Sequence, residues 1–427
     1  MIVPTSLSLS IAAALVAVQI VEWAGDALNL RALAPTPPAG FEDVYDKDRY
    51  ARTQTYTRDR TRFGFLSSSV AFATLLLFWF LGGFNTLDVW ARSILRPDIP
   101  RGLIYIALLA FGKEILSLPF SLYGTFVIEA RYGFNRTTAR TFVLDRLKGY
   151  ALAVLIGGPL LALILWLFGW LGPSAWLWGW GAVTAFSLLL QFLAPTWILP
   201  LFNKFTPLAE GPLRQAIFNL AKRINFPLTN VFVMDGSKRS AKGNAFFTGF
   251  GKNKRIALFD TLIEKHSVAE LTAVLAHEIG HYKKGHIWKG FAWGTLQTGA
   301  MFFLLSQTVG RPAVFAAFGL EQMSPAVGLV IFGILFSPVS FLLSLPLHAL
   351  SRRNEFEADR YAREVLGTGN DLITGLKGLA ASALSNLTPH PFYVALHATH
   401  PPLVERVRAL SELHAPIDPA PVGVKAL

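Results

Sequence analysis

Two histidines and a glutamate at close spacing are the residues of this chain whose types most clearly predict chemistry. Residues 276–281 read AHEIGH, so His277, Glu278 and His281 follow the pattern H-E-x-x-H. Because four residues make slightly more than one helical turn, both imidazoles project from one face of a helix and can bind a single Zn²⁺. Glu278 lies beside them, where it can deprotonate the water that zinc activates. The pattern predicts a zinc peptidase, and an incidental pair of core histidines is the alternative.

The segment around the motif has the apolar spacing of a helix, from residue 268 to residue 284, and its buried side would hold the two histidines rigidly. A catalytic zinc also needs a third protein ligand. Glu355 and Asp359 are four residues apart and share one face of a predicted helix, whereas Glu357 points elsewhere. We expect Glu355 to bind the metal and Asp359 to orient an imidazole. A solvated helix of interleaved acids and bases is the alternative.

The composition excludes an ordinary soluble domain. The 427 residues are 52% hydrophobic and 15% charged, with a mean hydropathy of +0.43. Seven apolar runs are long enough to cross a bilayer. They are residues 2–21, 63–87, 102–128, 150–171, 175–200, 291–309 and 326–350. The first run lacks a basic n-region, so we expect a retained span rather than a removed signal peptide.

The loops between these runs differ in charge. Lys and Arg are concentrated after the first and third runs, so the positive-inside rule places the H-E-x-x-H segment and the C-terminus in the cytoplasm and the N-terminus outside. The net charge of +12 is then explained by topology and by anionic lipid headgroups. No base-reading motif occurs, so no nucleic acid is expected as a partner. The absence of cysteine excludes disulfides and a Cys-ligated zinc.

Three motifs together resemble those of one protein family. They are HEIGHYKKGH at residues 277–286, SRRNEFEAD at 351–359 and KNKRIALFDTL at 252–262. These motifs resemble those of the type I CAAX prenyl proteases, which are integral-membrane zinc metallopeptidases with seven helices. The resemblance covers nearly the whole chain in the order of the motifs and in hydropathy. The resemblance implies one Zn²⁺ per chain. The implied ligands are His277, His281 and Glu355, with Glu278 as general base and Asp359 as a supporting acid.

The resemblance also implies a substrate site. Asn244, Ala245 and Phe246 match an edge strand whose backbone would pair with an extended peptide, while Asn244 makes a polar contact. A plain turn-to-strand junction is the alternative. His400, in the run HPPLVER, is expected to stabilise the oxyanion, and Arg406 to hold nearby acids or the substrate. The alternative is a helix that begins with Pro-Pro beside a solvated histidine.

The implied fold is mainly α and integral to the membrane: seven transmembrane helices and a cytoplasmic gluzincin-like zinc metalloprotease domain with a small β element. We expect transmembrane helices one to five and their cytoplasmic loops in residues 1–201, and the first part of the protease domain in 202–289. Residues 290–350 would form helices six and seven, and 351–427 the second part of the domain with a disordered tail. His286 is expected to be structural.

The expected reaction is metal-assisted hydrolysis of a peptide or protein substrate at the mouth of a membrane chamber. The family's best-known substrates are prenylated CAAX peptides, which lose their last three residues. Because this chain is rich in Ala, Leu and Arg, a bacterial inner-membrane location is expected, and quality control of membrane proteins without prenyl specificity is an alternative. A nonproteolytic scaffold or lipid-binding chamber with a structural zinc is a further alternative, which the intact Glu278 argues against.

Overall fold

The computed structural model describes residues 2–248 and 254–412. The tail expected to be disordered, beyond residue 412, and the first two residues of KNKRIALFDTL therefore lie outside the described residues. The first part of the chain is helical. Its helices are α1 (Ser6–Arg31), α2 (Lys47–Phe80), α3 (Gly83–Ile94), α4 (Asp98–Tyr123), α5 (Ala139–Leu152), α6 (Gly158–Trp170), α7 (Ala175–Leu193) and α8 (Leu199–Phe202). Turns of π-helix extend α4 through Gly124–Glu129, join α5 to α6 and join α7 to α8.

The second part of the chain mixes strands and helices. The strands are β1 (Phe205–Pro207), β2 (Leu228–Met234), β3 (Ala245–Thr248) and β4 (Lys254–Phe259). The helices are α9 (Pro212–Arg223), α10 (Asp260–Ile263), α11 (Val268–Lys283), α12 (His286–Thr308), α13 (Pro312–Ala317), α14 (Pro325–Leu366), α15 (Asn370–Ala383), α16 (Pro391–His397) and α17 (Leu403–Glu412).

The four strands form one sheet in the order β1-β2-β4-β3. Strand β2 runs parallel to β4, and β3 runs antiparallel to β4 with Ala245 opposite Leu258. Strand β3 is therefore an edge strand, with one side unpaired among the described residues. The sheet packs against α9 and α11 through a buried apolar cluster that includes Ile217, Leu258 and Leu271. This packing fixes the motif helix next to the open edge of the sheet.

Six helical stretches are long and apolar enough to cross a membrane: Ser6–Arg31, Lys47–Phe80, Asp98–Glu129, Ala139–Trp170, Gly172–Phe202 and Pro325–Leu366. Each overlaps one of the seven predicted runs. The run at residues 291–309 lies in the 23-residue helix α12, which is not among the six. Helix α12 packs closely on α7, where a Cβ at Gly299 would lie 2.9 Å from the Trp180 ring and one at Gly179 would lie 2.8 Å from Phe302. Membrane crossing by α12 stays a prediction.

Helix α14 joins the membrane region to the site. It has 42 residues, or about 63 Å at 1.5 Å per residue, and it continues without a break past the predicted boundary at residue 350. Its C-terminal end packs on α11, where a Cβ added at Gly280 would lie 3.1 Å from the carbonyl oxygen of Ala358. Because Gly280 has no side chain, the two helices approach closely, and Glu355 and Asp359 face the H-E-x-x-H motif.

Candidate active site

Helix α11 presents its two motif histidines to the same space. Its N-terminus is capped by Ser267 and Glu270, which form a reciprocal capping box. One turn of helix then separates His277 from His281, and their Nε2 atoms lie 3.2 Å apart. Glu355 completes the group, with Oε1 3.3 Å from His281 Nε2 and Oε2 3.5 Å from His277 Nε2.

These three side chains fit a metal ion. With bonds of about 2.0–2.1 Å, the ligand atoms of a tetrahedral zinc lie about 3.3 Å from one another, which matches the observed triangle. The Oε2 atom of Glu355 is buried and has no hydrogen-bond partner in the described part of the chain. This oxygen lies 3.3 Å from Arg406 Nη1 and 3.5 Å from His277 Nε2, and a buried carboxylate oxygen with charged contacts but no well-formed hydrogen bond is suited to a metal ion. His277, His281 and Glu355 are thus a group that could hold a metal.

A buried ion pair supports His277. The Oδ1 atom of Asp359 lies 2.8 Å from His277 Nδ1, which leaves Nε2 facing the site. Arg406 donates from Nε to Asp359 Oδ2 at 2.8 Å and from Nη2 to Oδ1 at 2.6 Å, and its Nη1 lies 3.3 Å from Glu355 Oε2. One guanidinium thus faces two carboxylates, and without metal the second positive charge comes from the proton on His277, a charge that a bound divalent cation would replace. Arg406 therefore contacts the acids, one of the two roles expected for it.

The ionisation of these groups follows from their contacts. Burial alone would lower the pKa of His277, but its hydrogen bonds to Asp359 and Glu355 outweigh burial and raise the pKa to about 9. Burial raises the pKa of Asp359, yet hydrogen bonds from Arg406 and His277 lower it overall. Hydrogen bonds from His277 and His281 likewise bring the pKa of Glu355 below its usual value despite burial. Without metal, the site therefore keeps a proton on His277 at neutral pH.

Two further residues lie behind His281. The Nδ1 atoms of His286 and His281 are 3.0 Å apart, and His286 Nε2 is 3.2 Å from Glu357 Oε2. From the sequence, His286 was expected only to be structural and Glu357 to point away from the metal, so their contact was missed. The available signal is Gly285, whose φ of +70° separates α11 from α12 and turns His286 back towards the motif.

Most of the predicted catalytic and substrate residues line one cavity of about 140 Å³, whereas Asp359, Phe246 and His281 lie outside its lining. Its lining includes Glu278, His400, Asn244, Ala245 and the metal-ligand candidates His277 and Glu355. The side chain of His400 is 65% exposed, and its Nε2 lies 3.3 Å from Glu355 Oε1. The rest of the lining is apolar side chains of α10, α11 and α15 together with Arg406. The predicted residues in this lining come from separate segments of the chain.

The strand residues are placed differently from one another. Asn244 is exposed, and its Oδ1 accepts a hydrogen bond of 2.9 Å from the Ala245 N–H. Phe246 lies outside the cavity lining and packs edge-on against Phe259, with ring centroids 6.4 Å apart. Asn244 and Ala245 can therefore reach a peptide in the cavity, whereas any contact from Phe246 would come from its backbone.

Two family models match consecutive parts of this chain. A model described as the CAAX prenyl protease N-terminal region with five membrane helices matches residues 26–204, and a model of peptidase family M48 matches residues 207–414. A CAAX prenyl protease 1 homolog of Oryza sativa subsp. japonica is 38% identical over 386 residues, covering 88% of this chain and 91% of the relative. CAAX prenyl protease 1 of Saccharomyces cerevisiae is 34% identical over 403 residues, covering 87% and 88%.

A solved structure is similar along the whole fold. The crystal structure of S. mikatae Ste24p has a TM-score of 0.90 and 32% sequence identity, and the match covers 96% of this chain and 100% of that one. The resemblance found in the motifs and the expected enzyme class are confirmed. This chain belongs to peptidase family M48, as a multi-pass membrane metalloendopeptidase of the CAAX prenyl protease type.

Proposed function

We propose that this protein is a zinc-dependent endopeptidase that hydrolyses peptide bonds near the C-terminus of prenylated or hydrophobic substrates. The observation that carries this proposal is the triangle of ligand atoms formed by His277, His281 and Glu355, with edges of 3.2, 3.3 and 3.5 Å, beside a cavity lined by Glu278. Two imidazoles and one carboxylate are an established donor set for catalytic zinc, and they leave one coordination position open.

The chain's own residues have distinct roles in the proposed reaction. His277, His281 and Glu355 would hold a Zn²⁺ ion, which would supply Lewis-acid activation of a water molecule and of the scissile carbonyl. Glu278 takes a proton from the attacking water as its oxygen bonds to the carbonyl carbon, and delivers that proton to the amine nitrogen as the C–N bond breaks. His400 donates a hydrogen bond to the carbonyl oxygen as negative charge develops there. Asp359, held by Arg406, keeps the His277 ring oriented.

The substrate lies along β3 in this proposal. An extended peptide pairs with the open edge of the sheet at Ala245, and Asn244 turns its amide from the Ala245 N–H to the peptide. Support comes from the fact that Asn244 and Ala245 line the same cavity as Glu278. The edge strand thereby sets the scissile carbonyl beside the metal.

We place this site in the cytoplasm of a bacterium, at the inner membrane. The concentration of Lys and Arg in the loops after the first and third apolar runs supports that orientation. Helix α12 is proposed as the sixth of seven spans, because its close packing on α7 aligns it with the membrane helices. The protease domain then consists of residues 202–289 and 351–427, and residues 1–201 and 290–350 form the membrane domain.

The test uses two quenched fluorescent peptides of one CAAX-type sequence, one farnesylated and one bare. Purified protein is compared with Glu278→Gln, with and without a zinc chelator. We expect cleavage only by the intact, zinc-loaded protein, with a strong preference for the farnesylated peptide. Equal cleavage of both peptides would contradict prenyl specificity and would indicate general proteolysis near the membrane. Cleavage that survives both the substitution and the chelator would contradict the proposed mechanism.

A further inference from the structure

A second and larger cavity adjoins the catalytic one. It has a volume of about 850 Å³ and shares two lining residues, Asn244 and His400, with the catalytic cavity. Its opposite wall comes from the membrane helices and includes Tyr56 and Arg60 of α2. A substrate that leaves the metal position past Asn244 therefore enters a space with walls from both halves of the protein.

One corner of this larger cavity has an excess of positive charge. The ammonium group of Lys242 donates to Tyr56 OH at 2.7 Å and to Glu129 Oε2 at 3.0 Å, and it lies 4.2 Å from the centre of the Phe134 ring. Arg60 donates from Nη1 to Tyr56 OH at 3.3 Å, and its Nε is 3.9 Å from Glu129 Oε1. Two cations thus share one carboxylate. We call this group of Lys242, Arg60, Tyr56 and Glu129 the cationic corner.

The two cations differ in accessibility. The Lys242 side chain is 29% exposed and is held by the aromatic rings and Glu129, whereas the Arg60 side chain is 58% exposed. Arg60 uses only part of its five N–H donors in these contacts. A guanidinium with free donors beside a cavity suits a carboxylate, which it can bind through two parallel hydrogen bonds.

A peptide that pairs antiparallel to β3 would run towards this corner. The catalytic cavity touches Asn244 and Ala245, at the N-terminal end of β3, and Lys242 precedes them by two residues. A peptide paired antiparallel to β3 runs opposite to it, so residues after the scissile bond pass Asn244 towards Lys242. Three extended residues span about 10 Å, which is the reach of a short C-terminal fragment. The end of such a fragment is a carboxylate.

We propose that the cationic corner binds the C-terminal carboxylate of the substrate, with Arg60 as the principal contact and Lys242 beside it. This inference rests on the proposed function and deepens it. It explains how the enzyme would select a scissile bond by its number of residues from the substrate's C-terminus. When the terminal carboxylate is bound, the peptide bond that lies a fixed number of residues before it is positioned at the metal. Arg60 is thus a specificity-determining residue distant from the reacting atoms.

The test compares two peptides that differ only at the C-terminus, one a free carboxylic acid and one an amide. For the wild-type protein we expect kcat/KM to be about tenfold higher for the acid, as for a partly exposed charge-assisted hydrogen bond. Arg60→Gln should reduce this acid-to-amide ratio below about three, and Arg60→Lys should retain part of it. Arg58→Gln is the matched control, since Arg58 is exposed on the same helix outside the cavity lining, and it should leave the ratio unchanged.

Product inhibition gives a second measurement. The released tripeptide acid should inhibit cleavage about tenfold more strongly than its amide, and Arg60→Gln should remove the difference. Equal cleavage of the acid and amide peptides by wild-type protein would overturn the inference while leaving the proposed function intact. A ratio that Arg60→Gln does not change would overturn the assignment to this corner. Failure of wild-type protein to cleave either peptide would overturn the proposed function, and this inference with it.

Discussion

The Nδ1 atoms of His281 and His286 face each other at 3.0 Å. Only one of two facing ring nitrogens can donate a proton to the other. A histidine that binds metal through Nε2 carries its proton on Nδ1, so with metal bound His281 would donate and His286 would accept. His286 then carries its own proton on Nε2, which lies 3.2 Å from Glu357 Oε2. Glu357 thus fixes the proton positions of both rings, in parallel with Asp359 behind His277.

This arrangement predicts that His286 increases zinc affinity indirectly, because its Nδ1 accepts a hydrogen bond from the ring of His281. His286→Asn keeps an acceptor near the Nδ1 position, whereas His286→Gln moves its amide to the Nε2 position. We expect the zinc dissociation constant to rise about 10–100-fold in His286→Gln and about threefold or less in His286→Asn. Chelator competition measures both constants. If the two variants lose zinc equally, His286 acts through packing alone.

Metal binding should release a proton from the site. The pKa of His277 is about 9 without metal, because Asp359 and Glu355 outweigh burial. Protonated His277 therefore stabilises the metal-free fold below its ordinary pKa of 6.5, and this contribution is lost as the pH rises through about 9. Metal requires the neutral imidazole, so zinc affinity should rise about tenfold per pH unit up to about pH 9. Calorimetry in buffers of different ionisation enthalpy should detect about one proton released per zinc at pH 7.5, and zero release would contradict the prediction.

Loss of Arg406 should destabilise the protein. Its guanidinium is buried between Asp359 and Glu355, so Arg406→Gln leaves two buried carboxylates with His277 as their one remaining cationic partner among the described residues. We expect the free energy of unfolding to fall by about 3–5 kcal/mol, with a corresponding fall in Tm. Zinc should restore part of the loss, because it supplies positive charge. Arg408→Gln, two residues away and exposed, is the control and should leave Tm nearly unchanged. Equal Tm values for the two variants would contradict the buried-charge account.

His400 should affect the chemical step more than substrate binding. Its Nε2 lies 3.3 Å from Glu355 Oε1 and its side chain is largely exposed, so its removal should not disturb the core. His400→Ala should lower kcat about 100–1,000-fold while KM changes little, as expected for a donor to a developing oxyanion. Steady-state kinetics with zinc content measured in parallel checks this. Unchanged kcat would favour the simple alternative of a solvated histidine at a helix start.

The sequence by itself determined the local parts of this protein. The predicted motif helix at residues 268–284 is α11, Val268–Lys283, because capping and apolar periodicity act within a few residues. Six of the seven predicted runs coincide with long apolar helices, since the bilayer selects for apolarity along a continuous stretch. The metal-ligand candidates also followed from local spacing, since residues four apart share one face of a helix. The roles of these residues stay predictions.

Which pairs of distant residues contact each other, and at what distance, was decided by the tertiary structure, although the sequence led us to expect Glu355 and Asp359 near the motif histidines. Glu357 and His286 are 71 residues apart, Arg406 and Asp359 are 47 apart, and Lys242 and Glu129 are 113 apart. The periodicity of a helix or strand predicts the face on which a residue lies. It does not predict which other element packs against that face. That choice depends on close packing, as where Gly280 admits Ala358, and on strand order, which leaves β3 at the edge of the sheet. Contacts between distant elements therefore set the support of the metal-ligand candidates and the position of the cationic corner.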